Sequence, residues 1–485
     1  MTSSDNWGFT PGRGLRHPDP RNERFPPAFR WGVATSAFQI EGATTADGRG
    51  PSIWDTFAAV PGAVAGGHTG EPAADHYHRW EADLDLLAEL GVDSYRFSVS
   101  WPRIQPSGQG APERRGLAFY RRLAEGLRER GIEPFLTLYH WDLPQALEDE
   151  GGWRSRDTAY RFAEYAALVH QELGDVVDFW TTLNEPYPCA VAGYGEGRHA
   201  PGAREGHGAL AAAHHLLLGH GLAVRAMCER AALPHQFGIV LNQSPAVPVT
   251  DSPADTAAAA RQDTLLRRQF TDPLFGGRYA PGLTAMFDGV SDFSFRREED
   301  LEIIAAPLDY LGVNYYYRVH VADAPHREPD PALRTVADIG VDTTRLPDVP
   351  RTGMGWPVEP EGLTEALVGL HNRYPGLPPV YVTENGCVYT DRSDFADYER
   401  ISFLSEHIEA ARTAAAAGVD LRGYFCWSLL DNFEWAHGYK HRFGLIHVDY
   451  ETQARTPRSS YRWYRDFIAA QHIPGGADQA GSSRS

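Results

Sequence analysis

Two rhythms of apolar residues alternate along this chain. Between Trp80 and Leu90, Trp80, Leu84 and Leu87 recur at the spacing of one helical face, and Gly91 follows as a stop. The run SYRFSVSW comes next, short and rich in aromatic and hydroxyl residues, and it reads as a strand. The following unit repeats the order: Leu117, Tyr120, Ala124 and Leu127 share a helical face, Gly131 ends it, and PFLTLYHW is a third strand. A helix from Thr158 to Leu173 leads into VVDFWTTLNEP, and an Ala-rich helix from about Ala209 to Ala231 leads into FGIVLNQ. Beyond helical and loop insertions between Asp251 and Asp300, DYLGVNYYY, PVYVTENG and LRGYFCWSLLD give strands six to eight. With WGVATSAFQI, Trp31 to Ile40, as the first strand, the pattern predicts an α/β fold: a single (β/α)8 TIM barrel with long βα loops at its C-terminal face.

The domain organisation expected is a polar, Pro-rich leader over 1–24, a barrel over 25–473, and a disordered tail over 474–485. The longest irregular piece, Arg318 to Thr352, directly follows strand six. It reads either as a substrate-selecting rim or as a disordered surface insertion.

Charge and cysteine usage narrow the partners. Lys+Arg 45 against Asp+Glu 64 leaves −19, which repels nucleic acid and anionic lipid. The N-terminus lacks the apolar core of a signal peptide, and no apolar run is long enough to cross a bilayer, so a cytoplasmic protein is expected. Cys189, Cys228, Cys387 and Cys426 are too scattered for a disulfide framework and form no CxxC pair. His214 and His215 are adjacent on a helix, so they point to different faces; a structural role is favoured and no metal is expected. No glycine-rich phosphate fingerprint calls for a cofactor.

In such a barrel, polar residues at the carboxyl ends of strands converge on one mouth. Here they are Gln39, Arg96, His140, Trp141, Asn184, Glu185, Asn314, Tyr316, Glu384, Trp427, Glu434 and Trp435. Two of them, Glu185 and Glu384, are carboxyls on different strands, a pair that can cut a glycosidic bond. A carboxylate beside Arg⁺ has its pKa pulled down, and one near a second carboxylate or an apolar wall is pushed up. Glu384 and Glu185 are therefore expected to shift in opposite directions.

TLNEP at Thr182 to Pro186 and TENG at Thr383 to Gly386 resemble the two catalytic signatures of family one glycoside hydrolases, the β-glucosidase family. The resemblance extends through FRWGVATSAFQIEG, YRFSVSWPRI, LYHWDLPQ, NYY, CWSLLDNFEWAHGY and RFGL, covering nearly the whole chain. It implies a retaining β-glucosidase acting on terminal non-reducing β-D-glucosyl residues, with Glu185 as acid/base and Glu384 as nucleophile, supported by Arg96 and Tyr316. The substrate-binding set it implies is Gln39, His140, Trp141, Asn184, Asn314, Tyr316, Trp427, Glu434, Trp435 and Phe443, with Trp356 beside the leaving group. Glu434, as a carboxylate, is expected to repel 6-phosphorylated sugars. The expected partner is a small β-glycoside or short oligosaccharide, in cellulose degradation among other settings. β-Galactosidase or β-fucosidase specificity, and a non-catalytic sugar-binding relative, stand as alternatives, and the oligomeric state is left open.

Overall fold

The computed structural model describes residues 24–231, 233–324 and 335–472. The expected tail, and all of the expected leader except Arg24, lie outside the described residues.

Eight strands form the barrel: β1 Arg30–Ala34, β2 Ser94–Ser98, β3 Glu133–Tyr139, β4 Phe179–Asn184, β5 Gln236–Asn242, β6 Tyr310–Asn314, β7 Val380–Asn385 and β8 Leu421–Trp427. Each pairs in parallel with its sequence neighbour, and β8 closes on β1 from Arg30↔Gly423 to Ala34↔Trp427. Their residues are almost all buried, as expected for parallel strands covered on both faces. Between strands run amphipathic helices such as His76–Leu90 and Arg114–Glu129. On the second, Leu117, Tyr120, Ala124 and Leu127 are buried, the face that the spacing predicts. Gly91 ends the first at φ 74°, its N–H donating to Leu87 and Ala88 carbonyls, a left-handed cap that suits glycine.

Inside the barrel, on the amino-terminal side of each strand's polar end, Phe135, Phe179, Tyr310, Tyr381 and Phe425 form a closed aromatic layer. The Phe135 ring lies 4.9 Å from Phe179, 5.0 Å from Tyr310, 5.6 Å from Tyr381 and 5.2 Å from Phe425. Room for these rings comes from glycine on other strands. A Cβ at Gly32 would lie 2.4 Å from the Phe425 ring, and one at Gly238 would lie 2.4 Å from that of Tyr310.

Some boundaries differ from the expected ones. The first strand ends at Ala34, and Ala37–Ile40 is a helical turn whose first N–H donates to the Ser98 hydroxyl at 2.7 Å. That turn is itself buried, so its apolar residues continue the strand-like run without being strand. The fourth strand starts at Phe179, and the Ala-rich helix spans His207–Cys228. The stretch after β6 is not wholly irregular: Val319–Asp323 and Val341–Asp342 join Ala246–Pro248 in a three-stranded sheet, while 325–334 lie outside the described residues.

Candidate active site

The polar ends of the strands meet around a cavity of about 540 Å³. Asn184 ends β4, and Glu185 follows with φ 43°, a left-handed conformation held by its N–H donating to the Val240 carbonyl at 2.9 Å. Trp141, beyond β3, has φ 78°, and Trp435, in the loop after β8, has φ 47°. Each such non-glycine residue costs about 1–3 kcal/mol, so three at one mouth mark a site that the surrounding packing overrides local preference to build.

One hydrogen-bonded chain ties the two carboxyls together. Arg96, fully buried on β2, donates to Glu384 Oε1 at 2.6 Å and to Asn184 Oδ1 at 2.7 Å. Asn314, at the end of β6, donates from Nδ2 to Asn184 Oδ1 at 3.1 Å and to Glu185 Oε1 at 2.8 Å, and its Oδ1 accepts from the Thr383 hydroxyl at 2.8 Å. Tyr316 donates to Glu384 Oε2 at 2.8 Å. Because Asn184 Oδ1 takes two donors, its Nδ2 is a donor to His140 Nε2 at 3.0 Å. The His140 proton then sits on Nδ1, which is buried without a partner among the described residues. Burial, and then the Arg96 charge, hold this imidazole well below its usual pKa, so it is neutral.

Burial pushes both catalytic candidates up. For Glu185 the negative charge of Glu384 adds to burial and takes its pKa to about 8, against the Asn314 hydrogen bond and Arg96. For Glu384 burial also raises the pKa, and the Arg96 charge with hydrogen bonds from Arg96, Tyr316 and Asn314 opposes it. The expectation that Arg96 would pull Glu384 below its ordinary value is therefore corrected, because desolvation outweighs it. The two surroundings still differ: Glu384 has the Arg96 cation and the Tyr316 hydroxyl donating to it, whereas Glu185 has one amide donor and faces an anion. At neutral pH Glu185, with its pKa raised to about 8, keeps its proton, and Glu384 is the carboxyl whose charge Arg96 and Tyr316 favour. Since Glu185 Oε1 accepts from Asn314, Oε2 is the oxygen left to carry the proton.

The remaining expected residues divide by placement. His140, Trp141, Asn184, Tyr316, Trp356, Trp427, Glu434, Trp435 and Phe443 line the cleft together with Glu185 and Glu384. Trp427 stacks over His140 at 5.9 Å, and Trp435 packs on Trp141 at 4.5 Å. The Trp141 N–H is already used, donating to the Asn184 carbonyl at 2.8 Å. Trp356 lies against Tyr317 at 4.9 Å, and Phe443 meets Tyr316 edge-on at 6.1 Å. Arg96, Asn314 and Gln39 stand behind this wall. Gln39 is fully buried; its Nε2 donates to Asn432 Oδ1 at 3.1 Å and to the Phe433 carbonyl at 2.9 Å, and its Oε1 accepts from Ser36, so it clamps the loop that carries Glu434. Glu434 Oε2 has no hydrogen-bond partner among the described residues, and burial, then the Glu384 charge, raise its pKa to about 8. A pKa near 8 keeps Glu434 largely protonated at pH 7 while the cleft is empty.

Several cleft residues escaped the sequence reading: Tyr187, Glu196, Arg198, Asn242, Gln262, Tyr317 and Thr343. Asn242 ends β5, so the strand-end rule would have found it. Val319 and Val341 also line the cleft, which places part of the 318–352 stretch at its rim. His214 is not at the mouth: Nδ1 meets the Tyr279 hydroxyl at 2.6 Å and Nε2 meets Asp300 at 2.8 Å, while His215 Nδ1 meets the Trp153 carbonyl at 3.0 Å. Among the described residues, Asp391, Asp431 and His447 cluster closely enough to hold a cation, but Arg458 and Arg442 already occupy those carboxylates.

A closed parallel barrel whose mouth opposes a protonated carboxyl to an arginine-bound carboxylate, in a cleft lined by tryptophans, defines a glycoside hydrolase. The chain belongs to glycosyl hydrolase family 1, whose family model matches residues 21–473. It is 47% identical over 456 residues to thermostable β-glucosidase B of Thermobispora bispora, covering 93% of this chain and 92% of that protein. It is 46% identical over 460 residues to a bifunctional β-D-glucosidase/β-D-fucosidase of Bifidobacterium breve, covering 92% of this chain and 98% of that one. The crystal structure of a psychrophilic β-glucosidase from Micrococcus antarcticus superposes with a TM-score of 0.88 at 47% identity, covering 93% of this chain and 99% of that one.

Proposed function

We propose that this chain is a retaining β-glucosidase that releases terminal non-reducing β-D-glucosyl residues by double displacement. Glu384 attacks the anomeric carbon as Glu185 gives its proton to the leaving oxygen; water then enters, Glu185 takes its proton, and the Glu384 ester is displaced. The observation that carries this reading is the asymmetric network in which Arg96 and Tyr316 bind one carboxyl while the other is raised to about 8. Asn184, fixed through Oδ1 and Nδ2, is suited to meet the 2-hydroxyl, and Trp427 offers a flat face to the ring. The partnerless His140 Nδ1 and Glu434 Oε2 are the groups that sugar hydroxyls would satisfy. Gln39 acts through Glu434's loop, and Asn314 through Asn184 and Glu185; Trp141, Trp435 and Phe443 complete the walls, and Trp356 the leaving-group side.

β-D-Fucosidase activity is a second reading, favoured by the dual activity named for the Bifidobacterium breve relative. A substrate that is a small β-glycoside or short β-glucan fragment, as in cellulose degradation, fits the cavity. A cytoplasmic setting is supported by four free cysteines, Cys189, Cys387 and Cys426 buried and Cys228 exposed. Among the described residues no helix is long and apolar enough to cross a membrane.

The test is a panel of p-nitrophenyl glycosides. Wild type should cleave the β-glucoside; no cleavage would sink the proposal. Glu185→Gln should be slow in releasing the sugar, and azide should restore turnover with a β-glucosyl azide product, because a small anion needs no general base. An α-azide would contradict the double displacement.

A further inference from the structure

At the outer part of the cleft the polar groups are of a different kind from those around Glu384. Glu196 and Arg198 line it, two residues apart on the turn that follows the helical segment Pro188–Gly195. Arg198 Nε donates to Glu196 Oε2 in a close ion pair, and the side chains are 56% and 25% exposed. The turn is fixed rather than loose. Glu196 N–H donates to the Val191 carbonyl at 2.8 Å, and those of Arg198 and His199 both donate to the Ala192 carbonyl at 3.1 Å. Gly197 between them has φ 70°, and a Cβ there would meet Arg204 Cγ at 2.9 Å, so the pair is presented on a backbone that only glycine readily permits.

Among the described residues lining this cavity, Arg198 is the one Lys or Arg. It lines the cavity together with Tyr187, Tyr317 and His437 of the loop after β8. Only its Nε is engaged by Glu196; the two terminal nitrogens make no other hydrogen bond with the described residues. The same cleft is lined by the Trp356 and Tyr317 rings, tilted against each other with centroids 4.9 Å apart.

We propose that the Glu196–Arg198 pair is the specificity element for the leaving group, selecting a second sugar unit over an aryl aglycone. This rests on the β-glucosidase reading above. The chemistry decides the class of ligand. A guanidinium fork alone would favour a carboxylate, but Glu196 beside it repels one. A donor and an acceptor held side by side match a neutral diol, in which one hydroxyl accepts from Arg198 and its neighbour donates to Glu196, while the sugar's apolar face lies on Trp356. An aryl leaving group uses the rings and leaves the pair in water.

The test compares kcat/KM for cellobiose with that for p-nitrophenyl β-D-glucoside in wild type, Arg198→Leu, Arg198→Lys and Glu196→Gln. Arg198→Leu should lower the cellobiose-to-aryl ratio about tenfold, the size expected for losing hydrogen bonds from a charged group to a substrate hydroxyl. Arg198→Lys, which keeps the charge but loses the fork, should lower it less, as should Glu196→Gln. A ratio within about twofold of wild type in Arg198→Leu overturns the assignment while leaving the β-glucosidase reading intact. A wild type that cleaves neither substrate overturns both.

Discussion

Along β7, Tyr381 and Glu384 lie three residues apart in opposite surroundings. Tyr381 packs into the aromatic layer with Phe135 and Tyr310 at 5.6 and 5.7 Å, where shape alone decides what fits. Glu384 sits in a polar shell, held by Arg96 and Tyr316 against the cost of burial. β4 repeats the contrast, with Phe179 in the layer and Asn184 and Glu185 at the mouth. In the layer the hydroxyl that rings cannot satisfy finds a partner, as Tyr310 does with Thr181 at 2.7 Å. At the mouth, His140 Nδ1, Arg96 Nε and Glu434 Oε2 have none among the described residues, and Trp141, Glu185 and Trp435 hold positive φ. The layer closes the barrel and fixes the strand ends, which lets the mouth carry strain and unpaired groups that would not persist on a softer frame.

Substitutions should separate these two regions. The largest effect belongs to Glu384→Gln, which should cost at least about 10⁴-fold in kcat for every β-glycoside tested, read by steady-state kinetics on protein shown folded by circular dichroism. Residual activity within tenfold of wild type would mean that the nucleophile lies elsewhere. Next comes the layer: Phe135→Ala should cost about 3–5 kcal/mol of stability in denaturant unfolding. The folded fraction should keep its dependence on pH. If that variant instead altered the pH profile and left stability alone, the division between floor and mouth would be wrong.

A smaller effect lies in stability against pH. Glu434 has a folded-state pKa of about 8, above its ordinary value of 4.5, so the folded protein binds this proton more tightly than the unfolded chain does. Its contribution is fully present below about pH 4.5 and is lost as pH rises towards 8. Glu434→Gln should therefore flatten the fall of Tm between those limits, and calorimetry at a series of pH values would show it. An unchanged slope would place Glu434 in a more solvated state than its burial implies.

The barrel was legible because its strands are short apolar runs that each end in polar residues and are separated by helical periodicity with glycine stops. Most of the mouth was legible for the same reason, since Asn184, Glu185, Asn314 and Glu384 are what those strands end on. The first strand was overread because Ala37–Ile40 is buried and apolar while helical. The sheet made by Ala246–Pro248, Val319–Asp323 and Val341–Asp342 was invisible, since it pairs segments far apart in the chain that are too short to show a period. The protonation of Glu434 and the upward shift of Glu384 depend on burial and on neighbours brought from other strands, which no local pattern encodes. Arg198 gave no sign either, because a single exposed arginine in a turn looks like any surface residue until the cavity beside it is known.

The proposed mechanism turns on an exchange of roles by Glu185, acid in the first step and base in the second. It can be followed by titrating the Glu185 carboxyl by ¹³C NMR in the resting protein and in a glycosyl-enzyme trapped on Glu384. In the resting protein the carboxyl should titrate near 8, from burial first and the Glu384 charge second. In the trapped form the second cause is gone, so the pKa should fall, staying above the ordinary carboxyl value because burial remains. An unchanged pKa would contradict the account.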